Sequence, residues 1–290
     1  MRSGFVAVVG RPNVGKSTLI NAMVGSKVTI ASVRPQTTRN AVRGVVHRND
    51  AQLVVVDTPG LHKPRTALGH RLNDLVRATV ADADVVIVVF DATAAIGPGD
   101  RMVADRTAES GAPMILALNK TDAASRQSII EHLAEATVWD FAAFVPVSAR
   151  TGDGVETLIG EASQRLPEGP EYFPPEMVTD QPDHLLVAEI VREKFLWRLR
   201  DELPHSLAAI VTAAEVRKDG SRYFALDLKV ERKSQQGIVI GEGGKVLAAA
   251  GAQARIELES IFGTKVFLDI KVGVEPDWQR HDELLDRLGF

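Results

Sequence analysis

Four short stretches combine residue types and spacings that can handle a polyphosphate and a purine. Gly10-Arg11-Pro12-Asn13-Val14-Gly15-Lys16-Ser17 follows the apolar run Phe5 to Val9 and precedes a helix-like stretch beginning at Thr18. Strand, glycine-bounded loop, then helix is the context in which G-x-x-x-x-G-K-[ST] forms a phosphate-binding loop. Backbone N–H groups converge there on an anion at a helix N-terminus. The two glycines let the main chain wrap the phosphates, Lys16 can reach the β and γ oxygens, and the Ser17 hydroxyl can hold Mg²⁺. A second apolar run, Gln52 to Val56, ends in Asp57-Thr58-Pro59-Gly60. An Asp at a strand's C-terminal end beside a phosphate loop suits a second metal-holding group, and Gly60 can donate its N–H to a γ-phosphate. Asn119-Lys120-Thr121-Asp122 and Ser148-Ala149-Arg150 end two further apolar runs. The Asp122 carboxylate can accept hydrogen bonds from guanine N1–H and the 2-amino group, donors that adenine lacks. Leaving such a buried acceptor unpaired costs about 1–3 kcal/mol, enough to choose between bases. Lys120 can lie over the ring with its aliphatic stem, Asn119 can brace the loop, and the Ala149 N–H can meet guanine O6.

These stretches need a common scaffold. Apolar runs at Phe5–Val9, Val85–Phe90 and Pro113–Leu118 lack alternation, as strands buried on both faces do, and Ala41–His47 with Gln52–Val56 reads as a hairpin. Helix-like segments at Leu68–Val80, Arg101–Ser110 and Val155–Arg165 alternate with them. The expected fold is therefore α/β, a P-loop domain with a mostly parallel, doubly wound sheet and its ligand at the strands' C-terminal ends. Ser26 to Asn40, polar and basic, reads as a mobile loop.

Leu166 to Pro175 carries four prolines and can continue neither helix nor sheet. This places the P-loop domain at 1–166, a semi-rigid linker at 167–183, a second domain at 184–275 and a helical tail at 276–290. The second domain reads as α-β-β-α-α-β, with Gly241-Glu242-Gly243-Gly244-Lys245 between two helices. Without side chains at Gly241, Gly243 and Gly244, a sugar-phosphate backbone can approach the main chain, and Lys245 adds charge beside it. This order with its G-x-x-G resembles a type II KH domain, and the resemblance implies that Ile238 and Ile240 form part of a base platform. Residues 184–290 hold 16 Lys and Arg against 17 Asp and Glu, a net of −1, and Glu242 puts a carboxylate in the loop. Nucleic-acid affinity must then come from local cations such as Arg232, Lys233, Lys245 and Arg255.

In order, the phosphate loop, the threonines Thr37 and Thr38, Asp57–Gly60, Asn119–Asp122 and Ser148–Arg150 resemble the five signature motifs of translation-factor-class GTPases, over roughly residues 3–165. The resemblance implies that Thr38, with Thr37 as the alternative, caps Mg²⁺ in the GTP state. Ser17, Thr38 and Asp57 would be the metal set, and Lys16, Thr38, Gly60 and Asn13 the catalytic set. It also implies GTP/GDP contacts at Gly10–Thr18, Asp57–Gly60, Asn119, Lys120, Asp122 and Ser148–Arg150. Loops 27–40 and 58–66 would switch. One departure matters: where Ras-like switches carry a water-orienting glutamine after the D-x-x-G glycine, this chain has Leu61. Slow intrinsic hydrolysis is expected. The missing stabilisation would come from a partner or from a monovalent cation such as K⁺ held partly by Asn13, whose alternative role is shaping the loop.

The second half resembles a type II KH domain, whose G-x-x-G loop clamps the backbone of about four unpaired nucleotides. The pairing resembles the Era-like GTPases over nearly the full length, supported by Pro35–Arg39, Asp57–Pro64, Val230–Gly244 and the closing Leu288-Gly289-Phe290. That family implies a monomeric bacterial GTPase that binds the 3′ end of 16S ribosomal RNA and acts in small-subunit assembly. It also implies peripheral contact with the inner membrane face. The other reading is a membrane-associated signalling switch whose KH-like domain docks a protein.

Composition agrees with both readings. The 290 residues are 45% apolar, contain no Cys and carry a formal net charge of −4. A thiolate metal site is excluded, a cytoplasmic location is expected, and a general nucleic-acid coat is disfavoured. No apolar run approaches the roughly 20 residues a bilayer span needs.

Overall fold

Valine-rich runs pair into one six-stranded sheet: β1 (Arg2–Val9), β2 (Val42–His47), β3 (Ala51–Asp57), β4 (Val85–Asp91), β5 (Met114–Asn119) and β6 (Ala143–Pro146). The computed structural model describes residues 1–31, 38–61, 66–199 and 203–288. Strand order is β2-β3-β1-β4-β5-β6, with β2 antiparallel to β3 and the remaining pairs parallel. Every residue of β3 and β4 is buried, because helices cover both faces. On one face lie α1 (Lys16–Val24) and α5 (Val155–Arg165), whose Leu19, Ile20, Leu158 and Ile159 join Val6, Val8, Val55 and Ile87. On the other lie α2 (Ala67–Ala81), α3 (Pro98–Ala108) and α4 (Arg126–Ala136), which bring Val76, Val103, Ala104 and Ala136 against Val9, Val86, Val88 and Leu116. The chain therefore leaves the C-terminal ends of β1, β3, β5 and β6 along one edge, where the four chemical stretches fall.

The local differences from expectation have plain causes. Helix α3 begins at Pro98 rather than Arg101, since proline suits the first helical position and Asp100 Oδ2 accepts the Gly97 N–H at 3.0 Å. Helix α4 was not expected; Ser125 caps it, its Oγ accepting from Ser128 N at 3.1 Å. Residues 28–30, part of the stretch read as a mobile loop, are buried. The Asn21 side chain holds them, accepting from the N–H groups of Val28 (2.9 Å) and Thr29 (3.1 Å) and donating to Thr29 O (2.8 Å). Thr37 and the rest of residues 32–37, residues 62–65 with Pro64, and Gly289 and Phe290 lie outside the described residues.

Contacts divide the chain into two units, residues 1–65 with 69–180, and 66–68 with 181–290. The proline-rich stretch runs along the first unit's sheet. Gln52 Oε1 accepts from the N–H groups of Tyr172 (2.7 Å) and Phe173 (3.0 Å), its Nε2 donates to Phe173 O (2.7 Å), and Val45 N donates to Val178 O (2.9 Å).

The second unit comprises α6 (Asp183–Leu196), α7 (Leu203–Ser206), β7 (Ala208–Val216), β8 (Arg222–Val230), α8 (Lys233–Ile240), α9 (Lys245–Phe262), β9 (Val266–Val274) and α10 (Asp282–Arg287). The expected α-β-β-α-α-β order is present, with short α7 added. Strand β8 pairs antiparallel with β7 and parallel with β9. Its Phe224, Leu226, Leu228 and Val230 alternate into the core, as one-sided burial requires. Trp278 is fully buried and donates from Nε1 to Ser206 O at 3.0 Å, while Leu285 and Leu288 are buried in the tail. Among the described residues, no helix is long and apolar enough to cross a membrane.

Candidate functional site

The loop after β1 is closed by its own contacts. Gly15 adopts φ +97°, a left-handed conformation, and starts α1 at Lys16. Lys16 is buried, and its ammonium donates to Gly10 O (3.1 Å) and Arg11 O (3.2 Å), which spans the loop. Burial lowers its pKa to about 8, against the pull of the Asp57 charge.

Three oxygen side chains predicted from the sequence meet beside it. Thr38 Oγ1 lies 3.0 Å from Ser17 Oγ and donates to Asp57 Oδ2 at 3.0 Å. Thr29, which the sequence reading missed, donates to the same Oδ2 at 2.7 Å. Among the described residues, buried Asp57 Oδ1 has no hydrogen-bond partner. Burial pushes this carboxyl upward, opposed by the Thr29 hydroxyl, the Lys16 charge and the hydroxyls of Ser17 and Thr38. One carboxylate with an unsatisfied oxygen and two hydroxyls form a hard donor set of the kind Mg²⁺ takes together with phosphate oxygens. No cluster of three His, Cys, Asp or Glu residues competes for a metal among the described residues.

Next along the edge, Thr58 Oγ1 donates to Val8 O at 2.7 Å, which ties the end of β3 to β1. A Cβ on Gly60 would stand 2.8 Å from Pro12 N, so Gly60 is required where the two loops touch. Leu61 is buried in the apolar cluster with Val76 and Val80. Arg11 does not face inward; its Nε donates to Asp100 Oδ1 at 2.9 Å on α3.

At the far end, Asn119 bridges two loops, donating from Nδ2 to Val14 O (2.9 Å) and accepting from Ala149 N at Oδ1 (3.0 Å). A Cβ on Gly15 would lie 2.4 Å from that Asn119 nitrogen. Lys120, at φ +67°, stretches its ammonium to Asn13 O (2.8 Å) and Asp91 Oδ2 (2.6 Å), so its stem forms a ledge beside the phosphate loop. Asp91 was missed; its signal was an acid closing the apolar run Val85–Phe90. Ser148 Oγ donates to Asp122 Oδ1 at 2.6 Å and Arg150 Nη2 lies 2.5 Å from Oδ2; the Ser148 bond, then the Arg150 charge, hold Asp122 below the usual carboxylate range.

In the second unit, Gly241 (φ +74°), Gly243 (φ +58°) and Gly244 (φ +78°) turn the chain from α8 into α9. Gly241 is needed for space, since a Cβ would meet Val246 Cγ2 at 2.5 Å; Gly243 and Gly244 face open space. Ile238, Glu242, Gly243 and Lys245 are exposed at this turn and Ile240 is half-buried, while Arg232 and Lys233, also exposed, lie at the other end of α8. Arg255 stands apart from them, in a groove of about 600 Å³ between α9 and β9 that Leu247, Phe267 and Ile270 also line. Arg217, missed in the sequence, packs its guanidinium 4.6 Å from the Phe267 ring centre at the same groove.

Fold and site define a P-loop GTPase carrying a KH unit. The family described as "50S ribosome-binding GTPase" matches residues 5–120, and the KH domain family matches residues 202–279. The chain is 48% identical to GTPase Era of Mycobacterium tuberculosis over 99% of its own length and 98% of that protein's. It is also 48% identical to GTPase Era of Mycobacterium avium, over 100% and 99% of the two chains. It matches the crystal structure of an Aquifex aeolicus Era variant bound to GDP and AlF4⁻ with a TM-score of 0.96, at 36% identity, covering 100% and 99% of the chains. Another match with a TM-score of 0.96 and 36% identity, covering 100% and 99%, is Era with MgGDPNP and nucleotides 1506–1542 of 16S ribosomal RNA. The chain belongs to the Era family of GTPases.

Proposed function

We propose that the chain hydrolyses GTP with Mg²⁺ at the edge of the first sheet and uses the nucleotide state to time its hold on 16S ribosomal RNA during small-subunit assembly. The observation that carries this reading is the meeting of Ser17, Thr38 and Asp57 beside Lys16, in a chain alike end to end with an Era that was crystallised with MgGDPNP and 16S RNA. Ser17, Thr38 and Asp57 would hold Mg²⁺. When bound, Mg²⁺ supplies neutralisation of charge on the β and γ oxygens. Lys16 leaves its two carbonyls for the phosphates, Gly10 to Thr18 wrap them, and the Gly60 N–H meets the γ-phosphate as water attacks phosphorus. Asp122 reads the guanine edge, with Ser148, Ala149 and Arg150 around it, over the Lys120 stem.

With Leu61 buried in the core, nothing at that position orients water. Intrinsic turnover is therefore slow, and RNA or a K⁺ ion beside exposed Asn13 supplies the missing stabilisation. Exchanging Na⁺ for K⁺, or adding RNA, should raise turnover by about tenfold or more; equal rates in all four conditions would remove both activators.

The G-x-x-G turn clamps the RNA backbone, with Lys245 beside it, Arg232 and Lys233 at the other end of α8 and Ile238 and Ile240 beneath the bases, while Arg255 serves the groove. Gly243→Asp is compatible with left-handed backbone in open space, so the fold should persist while a carboxylate enters the clamp. RNA from the 16S 3′ end should bind the GDPNP form more tightly than the GDP form, and Gly243→Asp should weaken it by about tenfold or more with GTP binding unchanged. Equal affinity in both nucleotide states would remove the coupling. The cytoplasm, with peripheral contact to the inner membrane face, belongs to this reading.

A further inference from the structure

Asp57 sits at the end of β3, and a carboxylate on a single-bonded stem can rotate. What fixes it comes from a segment with no motif. Thr29 is buried between two buried apolar neighbours, Val28 and Ile30, and its hydroxyl donates to Asp57 Oδ2 at 2.7 Å, shorter than the 3.0 Å bond from Thr38. Thr29 is itself held from α1, where Asn21 engages both its N–H (3.1 Å) and its C=O (2.8 Å) as well as Val28 N (2.9 Å). A chain of direct contacts thus runs from the helix that follows the phosphate loop, through Asn21 and Thr29, to the acidic member of the metal set. We propose that Thr29, clamped by Asn21, is a positioning residue for the Mg²⁺ site: it occupies Oδ2 from one side and fixes the carboxylate's rotation, leaving buried Oδ1 unsatisfied.

This rests on the reading of Ser17, Thr38 and Asp57 as the Mg²⁺ set. A purely structural role for Thr29 would weaken the fold or nucleotide binding regardless of metal. A positioning role acts only when metal is present. The measurement is release of fluorescent GDP from the full-length protein as Mg²⁺ is titrated, alongside GDP affinity in EDTA and the melting temperature. Thr29→Val keeps the shape and removes the hydroxyl; it should raise the Mg²⁺ concentration for half-maximal slowing of release by about tenfold, with EDTA affinity unchanged. Thr29→Ser should restore the wild-type requirement, and Asn21→Ala should raise it without touching the carboxylate. Asp57→Asn separates the two levels of the argument. If Asp57→Asn raises the requirement and Thr29→Val does not, the positioning role is wrong; if neither does, the metal set itself is wrong. Equal losses with and without Mg²⁺ in Thr29→Val would also overturn the proposal, and Thr29→Ala takes the same place should the valine variant not fold.

Discussion

Exchanging Asp122 for Asn is expected to turn a guanine-nucleotide hydrolase into one that prefers xanthine nucleotides. Asp122 is an acceptor on both oxygens: Oδ1 takes the Ser148 hydroxyl, and Oδ2 pairs with Arg150 at 2.5 Å until a base displaces it. Ser148 fixes the carboxylate from one side, so the edge that meets a purine is the one Arg150 covers. An amide there presents N–H where guanine also presents N–H, and the two repel. Xanthine, with a carbonyl at C2, accepts that N–H. Sites built around a specific hydrogen bond reject the wrong partner by about 10³-fold or more, so GTP hydrolysis by Asp122→Asn should fall by about that factor and XTP hydrolysis should appear. Comparing kcat/KM for GTP, XTP and ATP decides it. If the variant keeps its preference for GTP, Asp122 does not read the base.

Replacing Lys16 by Met is expected to cost about 10²- to 10³-fold in kcat, the loss that follows removal of one preorganised charge from a transition state. Methionine fills the same channel with an apolar stem and offers nothing to the Gly10 and Arg11 carbonyls. The melting temperature is the check on folding: burial pushes the Lys16 ammonium down to about 8, so the charge sits there at a cost, while its removal leaves the buried Asp57 charge and the Gly10 and Arg11 carbonyls without their partner. A variant that melts normally yet hydrolyses GTP within threefold of the parent would exclude Lys16 from the chemistry.

What the sequence made legible was whatever is local. The phosphate loop, with its flanking strand and helix, needs only eight consecutive residues to be recognised, and strands such as Val85–Phe90 are apolar on both faces, so neither periodicity nor turns could mislead. The pairs that set geometry across the sheet were not legible. Asn21 lies on a helix and Thr29 in a stretch read as a loop, and the bonds from Asn21 to Thr29 and from Thr29 to Asp57 depend on how the chain after α1 returns toward β3. Composition alone made 28–30 look mobile. Asp91 and Lys120, separated by 29 positions, meet because β4 and β5 are neighbours in register, Asp91 opposite Asn119. Likewise, prolines were visible in the stretch after Leu166, but not that Gln52 would bind its backbone from β3.

The Asn119 bridge has a consequence for how such a pocket fills. A single amide is fastened at one end to the cradle for the triphosphate and at the other to the loop that borders the base. On the proposed reading of the site, the walls around the purine and those around the phosphates would share one fastening that stands already made, so a disturbance at either end would be felt at the other, and Asn119→Ala is expected to loosen the hold on both halves of the nucleotide together.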